Sequence, residues 1–259
     1  MGTWIHIIAI RMKKQIHYFI FFLFILAASV SCNKDSAPDY LQTTGEIVRE
    51  ERPVEDFTEI ELYHKINVVL TQDIQNKIEI EAGKNLIPDI TTEVKDEKLK
   101  IKNENKFNFL RSYKKEITLY ISVKNLSHIT YRGAGNISCT NTLTDSVFTF
   151  DSRSGTGKIE LNINANEGHF NHHTGQCDLV LHGNIGVNYL YQAGNGFTDA
   201  EDLNTGYTFV TNKGTNDLKI KVEKVLYAYI AYLGNVYYKG DPYDLSSDIV
   251  DQGQLIKLY

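Results

Sequence analysis

Proline, cysteine and long apolar runs are all scarce in this chain of 259 residues. It has four prolines and three cysteines, and its one long apolar run, near the amino end, covers only residues 16–30. A transmembrane helix needs about 20 apolar residues in succession. Tyrosine and phenylalanine, by contrast, number 28, and such aromatic residues are enriched in strands. The composition therefore predicts an all-β protein.

The apolar run has the architecture of a signal peptide. It follows Lys13 and Lys14 and ends in small residues before Cys32. A basic start, an apolar stretch of about 7–15 residues and small residues before the cleavage point define such a peptide. We predict that residues 1–31 are removed, with Met12 as the more ordinary start.

Cys32 stands where a bacterial lipobox places the cysteine that becomes acylated. Ser31 precedes it and a polar stretch begins at Asn33, but Ser29 occupies the position where the usual pattern has leucine. We predict lipidation at Cys32, with residues 32–44 as the lipidated cysteine and a polar tether. The alternative is ordinary signal-peptidase cleavage, which would release a soluble protein.

The charge of the mature chain argues against two classes of binding partner. Loss of residues 1–31 removes three basic residues and no acid, so the formal charge changes from −5 to −8. An acidic surface repels nucleic acid phosphates and gains nothing from anionic lipid headgroups. We therefore expect no nucleic acid partner, and membrane attachment only through the lipid anchor.

Glycines recur at an even period through the second half of the chain. They stand in similar settings at Gly133, Gly155, Gly175, Gly194, Gly214 and Gly234. A fixed period of about 20 residues is typical of stacked solenoid coils. Sharp corners between the strands of each coil would favour glycine because it tolerates positive φ. The alternative, a sandwich of hairpins, does not require like residues at so even a spacing.

Aligning the coils on these glycines predicts which side chains face inward. An aromatic residue stands five positions before each of five glycines: Phe150, Phe170, Tyr189, Phe209 and Tyr229. Apolar residues stand mostly four and six positions after, as in Ile159 and Leu161, and these share one strand face because side chains alternate. We predict that all three columns are buried, so that Phe209→Ala would cost about 3–5 kcal/mol.

The period is not visible between residues 45 and 124, where short alternating runs read as half-buried strands. We interpret this part as an irregular start to the same sheet system. Residues 243–259 would form a carboxy-terminal cap, which solenoids need because an open terminal coil exposes unpaired edges.

The turns RGAGNI, SGTGKI and KGTNDL, the segment VEDFTEIEL at 54–62 and the segment YLGNVYYKGDP at 232–242 together resemble one family. It is the auto-transporter adhesin "head GIN" domain of Gram-negative envelope lipoproteins, a domain of unknown function. The resemblance covers residues 45–242. It implies a right-handed parallel β-helix of the pectin-lyase type, with about 20 residues per turn, at an envelope location. It supplies no catalytic residues, cofactor or ligand.

No set of reactive side chains converges in the sequence. Histidines crowd together at His169, His172, His173 and His182, which we interpret as an exposed polar strand, since two histidines on one face are too few for zinc. Cys139 and Cys177 are expected to be free, buried thiols, two coils apart. Asp151 and Arg153 are the one suggestive pair, but glycoside hydrolysis normally uses two carboxylates. We predict no catalytic, metal or cofactor site.

The sequence thus predicts a non-catalytic binding or adhesion protein of the outer membrane, with a glycan or an envelope or host protein as partner. Tyrosines in the last coils are candidates for the contact surface: Tyr191, Tyr207, Tyr227, Tyr232, Tyr237 and Tyr238. Two alternatives stay open, a pectinase-like polysaccharide-active enzyme and a structural envelope module without a soluble ligand.

Overall fold

The computed structural model describes residues 44–105 and 116–259. The predicted signal peptide and Cys32 lie outside the described residues. Within these ranges the chain forms strands and one short 3-10 helix, Ile87–Asp89, so the all-β prediction is confirmed. No helix in this part of the chain has the length and apolar character that a membrane crossing requires.

The strands all belong to one 15-stranded sheet. In chain order they are β1 Ile47–Arg52, β2 Glu59–His64, β3 Asn67–Gln72, β4 Lys77–Gly83, β5 Ile90–Lys95, β6 Lys98–Asn103, β7 Thr118–Val123, β8 His128–Gly133, β9 Ile137–Cys139, β10 Leu143–Gln192, β11 Thr198–Asn212, β12 Leu218–Ile230, β13 Val236–Lys239, β14 Asp244–Ile249 and β15 Leu255–Lys257.

Residues that pair across neighbouring strand segments are about one repeat of the sequence apart. β10 and β11 pair in parallel, with Tyr189 opposite Phe209, and β11 and β12 pair in parallel, with Thr198 opposite Leu218. Each stretch of chain therefore lies beside the stretch that follows one repeat later. Parallel pairing repeated at this spacing brings like positions of the repeat into register along the sheet.

The first strands of the chain pair differently. β4 pairs antiparallel with both β1 and β7, and β5 pairs antiparallel with β6. The other pairs are parallel: β7 with β3, β6 with β2, and β2 and β3 with β8 and β9. A tight turn at Asp96 and Glu97, both with positive φ, connects β5 to β6. Positive φ at both central residues is the geometry that suits a two-residue hairpin.

Two of the three predicted inward columns are largely confirmed. Ile159, Leu179, Thr198 and Leu218 are buried, and so are Leu161, Leu181, Ala200 and Ile220. The last coil departs from the period, because Leu218 pairs with Val236 rather than with Tyr238. Tyr238 is only half-buried against the core as a result.

The prediction of a buried aromatic ladder is wrong beyond its second member. Phe150 and Phe170 are buried, but Tyr189 is 37% exposed, and Phe209 and Tyr229 are half-buried. The step from Gly175 to Gly194 is one position shorter than the steps on either side of it. This shorter step shifts the alignment on the glycines by one position from Tyr189 onward. Because successive side chains of a strand point to opposite faces, a shift of one position moves the aligned residue to the outer face. The buried column continues instead through Leu190, Val210 and Ala228.

The reason given for the repeating glycines also needs correction. Of the six, only Gly175 has a positive φ, at 103°. At Gly234, which lacks positive φ, an added Cβ would lie 2.2 Å from the carbonyl oxygen of Asn216. Close contact with neighbouring segments of the chain, more than backbone conformation, thus requires the absence of a side chain at most of these glycines.

Candidate binding face

The outer face of the sheet is the solvent-facing side of the paired strands β6, β2, β8, β10, β11, β12 and β14, in that spatial order. Its side chains alternate with those of the buried column that contains Phe150 and Phe170. Residues at equal positions of neighbouring strands form rows across this face, because the strands are parallel and lie about 4.8 Å apart.

The first aromatic row contains His169, Tyr189 and Phe209. The rings of His169 and Tyr189 stack with centroids 4.8 Å apart and planes inclined by 9°. Those of Tyr189 and Phe209 stack at 5.2 Å and 16°. Phe209 is paired in register with Tyr227, which is 39% exposed. The row therefore covers four successive strand segments.

A second aromatic row runs beside the first and carries a cation. The ring of His173 lies 5.5 Å from that of Tyr191. The Nζ atom of Lys213 is 5.9 Å from the ring centroid of Tyr191 and 6.0 Å from that of Tyr229. Both distances are within the range of cation–π attraction. We call the two rows together the aromatic half of the outer face.

The opposite half of the outer face is charged and internally paired. Lys98 approaches Glu59 at 3.0 Å, and Arg132 donates to Glu61 at 3.2 Å. Burial acts to raise the pKa of Glu61, but hydrogen bonds from Tyr63 and Arg132 outweigh it and lower that pKa. We call this region, from β6 to Asp151, the charged half.

Asp151 lies where the two halves meet, and two histidines contact its carboxylate. Nε2 of His128 is 2.9 Å from Oδ2, and Nε2 of His173 is 3.1 Å from Oδ1. The hydrogen bond to His128 is the main reason that the pKa of Asp151 falls to about 2, with that to His173 adding to it and burial opposing it. An ionised carboxylate whose two oxygens both have partners is poorly suited to act as an acid or a nucleophile.

The comparisons with known proteins identify the family. The model of the family described as "Putative auto-transporter adhesin, head GIN domain" matches residues 56–242. The chain belongs to this family. The resemblance inferred from the glycine turns is thereby confirmed. No curated protein matches the chain.

Solved structures support the assignment of the fold. A putative adhesin from Bacteroides fragilis superposes with a TM-score of 0.77 at 19% identity, covering 83% of this chain and 99% of that one. A putative adhesin from Parabacteroides distasonis gives 0.62 at 19%, with coverage of 83% and 99%. A putative lipid binding protein from the same organism gives 0.58 at 19%, with coverage of 83% and 98%. At these identities the likeness concerns the fold alone.

The structure separates the predicted histidine cluster. His169 and His173 do share the outer face, but His172 is buried, which corrects the prediction that the whole stretch is exposed. His182 lies between Glu160 and Asp202, 3.6 Å from each carboxylate. Within the described ranges, no group of three or more histidine, cysteine or acidic side chains is arranged to hold a metal ion.

The two cysteines of the described residues are free, as predicted. Cys177 is buried, whereas Cys139 is only half-buried. Cys177 contacts Ser152 at 3.1 Å and His172 at 3.8 Å. Burial raises the pKa of Cys177 to about 11 and lowers that of His172, so the pair favours a neutral thiol beside a neutral imidazole, which is unreactive.

Of the predicted contact tyrosines, Tyr207, Tyr227 and Tyr232 are exposed, and Tyr191 belongs to the second row. Tyr237 and Tyr238 are only half-buried. Sequence reasoning placed Tyr189 and Phe209 in the core, although both belong to the outer face, and it did not consider Lys213. The signal that could have found them is the short step between the third and fourth glycines, because it places Tyr189 and Phe209 out of phase with Phe170.

Proposed function

We propose that this chain is an exported, non-catalytic binding protein of the Gram-negative envelope, held in the outer membrane by a lipid on Cys32. Its coils would wind as a right-handed parallel β-solenoid of the pectin-lyase type. Support for the coil comes from the parallel pairing of each strand segment with the segment one repeat later. Support for its hand is general, because crossover connections between parallel strands are right-handed in about 98% of cases.

The aromatic half of the outer face is the observation that carries the binding function. Tyr189 and Tyr227 are exposed, and Lys213 is exposed between two tyrosine rings. Tyrosine and other aromatic residues are enriched in protein interfaces, where they supply large contact area at low entropic cost. The charged half, whose acids and bases are already paired, offers fewer unsatisfied groups.

The orientation of the rings favours a protein as the partner. In the first row, nearly parallel rings stack at centroid distances of 4.8 and 5.2 Å, so each covers the face of the next and leaves its edge toward solvent. A sugar stacks on an open aromatic face, which is scarce here. Aliphatic and polar protein side chains can pack against ring edges and tyrosine hydroxyls.

An enzymatic role has less support. The carboxylate of Asp151 contacts His128 and His173 through its two oxygens. Glycosidases use a pair of carboxylates about 5–10 Å apart. Glu59 lies beyond His128, 3.9 Å from its other ring nitrogen, but it is paired with Lys98 at 3.0 Å, so neither carboxylate is free to act as an acid or a nucleophile. The positions that follow Asp151 across the outer face are Asn171, Tyr191, Thr211 and Tyr229, none of which is acidic.

Binding is tested by presenting the labelled protein to arrays of glycans and of purified envelope and host-surface proteins. We expect binding to a protein, with at least about tenfold loss in Phe209→Ser. Val147→Ser is the matched control, because Val147 is an exposed apolar residue outside the aromatic half. Binding that survives Phe209→Ser would refute the site. Silence on both arrays would favour a structural module, and release of reducing ends from glycans would establish an enzyme.

Lipid anchoring is tested separately, by growth with an alkyne fatty acid and by globomycin treatment. We expect the wild-type chain to be labelled and to fractionate with membranes. Cys32→Ala should be unlabelled and released from the membrane fraction, because no other part of the proposal attaches the chain to lipid. An unlabelled, soluble wild-type chain would instead support ordinary signal-peptidase cleavage.

A further inference from the structure

β14 ends one side of the sheet with an unprotected edge. Within residues 44–105 and 116–259, it pairs with β12 and with no other strand. All six of its residues, Asp244–Ile249, are exposed. A free strand edge presents unpaired N–H and C=O groups and is a template for pairing with another strand.

The edge at β14 differs from the edge at β1. Four of the six residues of β1 are charged, which is a common protection against unwanted pairing. In β14, Leu245 and Ile249 continue the buried positions of Leu226 and Ile230, yet they are 43% and 44% exposed. Among the residues that the structure describes, none therefore covers this end of the hydrophobic core.

We propose that β14 pairs antiparallel with β14 of a second copy of this chain, about a twofold axis through Ser247. On the inner side of the strand, Leu245 would then lie opposite Ile249 of the second copy, and Ser247 opposite its own equivalent. On the outer side, Ser246 would lie opposite Asp248 of the second copy, where its hydroxyl can donate to the carboxylate. Apolar, hydroxyl and carboxylate groups thus each meet a compatible neighbour.

The neighbouring registers are excluded by the same residues. A shift of one residue sets inner against outer side chains, so that Leu245 opposes Asp248. A twofold axis at Ser246 brings Asp244 opposite Asp248, and an axis at Asp248 brings that residue opposite itself. Like charges directly opposite each other are destabilising. Of these registers, the one with its axis through Ser247 keeps the core side together and the aspartates apart, and it pairs every residue of the strand except Asp244 with a residue of β14 in the second copy.

Twofold pairing also closes the assembly. An isologous contact uses the same strand of both copies and leaves neither β14 edge free, so the product is a dimer and not a filament. Asp244, Asp248 and Asp251 of each copy approach the axis, and the two lysines that flank this segment, Lys239 and Lys257, are already paired with Glu201 and Asp241. Salt should therefore strengthen the dimer by screening their repulsion.

Sedimentation of the purified full-length chain tests the association. We expect a dimer that Ser247→Lys weakens at least about tenfold, while Ile47→Lys, at an exposed position of the β1 edge, leaves it unchanged. Circular dichroism verifies that both variants are folded. A monomeric wild type, a dimer insensitive to Ser247→Lys, or a dimer that salt dissociates would each overturn the proposal.

Cysteine cross-linking reads the register independently. Opposite Cα atoms in an antiparallel pair are about 4.5–5.5 Å apart, within the range of a disulfide. Ser247→Cys should therefore give a covalent dimer on mild oxidation, whereas Ser246→Cys and the wild type, with its native cysteines, should not. Cross-linking through Ser246→Cys in place of Ser247→Cys would overturn the register.

Discussion

The charged and aromatic halves of the outer face lie on the same ladder of strands but use their side chains in different ways. In the charged half, Glu61 has Tyr63, Lys100 and Arg132 as partners. In the aromatic half, the rings contact one another and leave edges and hydroxyl groups in solvent. Charged side chains of the first half thus satisfy one another, whereas the second half leaves contact area available to a partner.

The largest expected effect on the free energy of unfolding is the loss of a ring from the core, compared with the loss of a ring from the aromatic half. Phe170 is 1% exposed, so Phe170→Ala should lower the free energy of unfolding by about 3–5 kcal/mol. Phe209 is half-buried on the outer face, and Phe209→Ala should lower it by only about 1 kcal/mol. Urea unfolding measures both. Equal losses of stability in the two variants would mean that Phe170 and Phe209 share one environment and that Phe209 is a core residue.

A smaller effect should appear at Asp151, where the two halves meet. Its pKa falls from 3.8 to about 2 on folding, which stabilises the folded protein by about 2 kcal/mol at neutral pH. The folded value is the lower one, so this contribution is complete above about pH 4 and is lost as the pH falls to about 2. Asp151→Asn should therefore have a lower free energy of unfolding than the wild type above pH 4, and the difference should vanish as the pH falls to about 2.

The measurement is urea unfolding of the wild type and Asp151→Asn across this pH range. His128, His173 and Asn171 face the carboxylate and are unchanged in both proteins. A difference that persists undiminished at pH 2, or that is absent at pH 6, would contradict the role assigned to Asp151. Partner binding should be retained in this variant, because the aromatic rows are intact.

The smallest effect on stability is expected at Lys213. An exposed cation–π contact is worth about 0.5–1 kcal/mol, so Lys213→Gln should change the free energy of unfolding by no more than that. Its effect on partner binding should be larger, because the ammonium group lies among the exposed rings. If Lys213→Gln instead destabilised the fold strongly and left binding intact, the aromatic half would be structural.

Much of this architecture follows from the sequence because its repeats pair with one another in parallel. The even glycine period predicted the parallel offset, and the columns of Ile159 and Leu161 were assigned to the correct face for most of their length. These assignments hold because apolar residues recur at fixed distances from glycines at which neighbouring segments come into close contact. The family could be inferred from the same glycines.

The outward direction of the later aromatic residues could not be predicted, because a change of one residue in the length of a repeat turns the aligned side chain to the opposite face. The short step from Gly175 to Gly194 places Tyr189 and Phe209 outside, and the final coil pairs Phe209 with Tyr227 rather than with Tyr229. His172 points inward because it is two positions after the buried Phe170, although a polar residue is expected to face solvent. The first part of the sheet, β1 to β7, mixes antiparallel with parallel pairs, and because its sequence shows no period, its register could not be predicted.

Hydroxyl-radical footprinting of the folded full-length chain measures the solvent exposure of individual rings. It therefore distinguishes the aromatic residues of the repeating column that lie in the core from those that lie on the outer face. Tyr189 and Phe209 should be oxidised readily in the native protein, whereas Phe150 and Phe170 should be protected until the protein unfolds. Protection of Phe209 equal to that of Phe170 would show that Phe209 belongs to the core and that the aromatic half of the outer face does not exist as described.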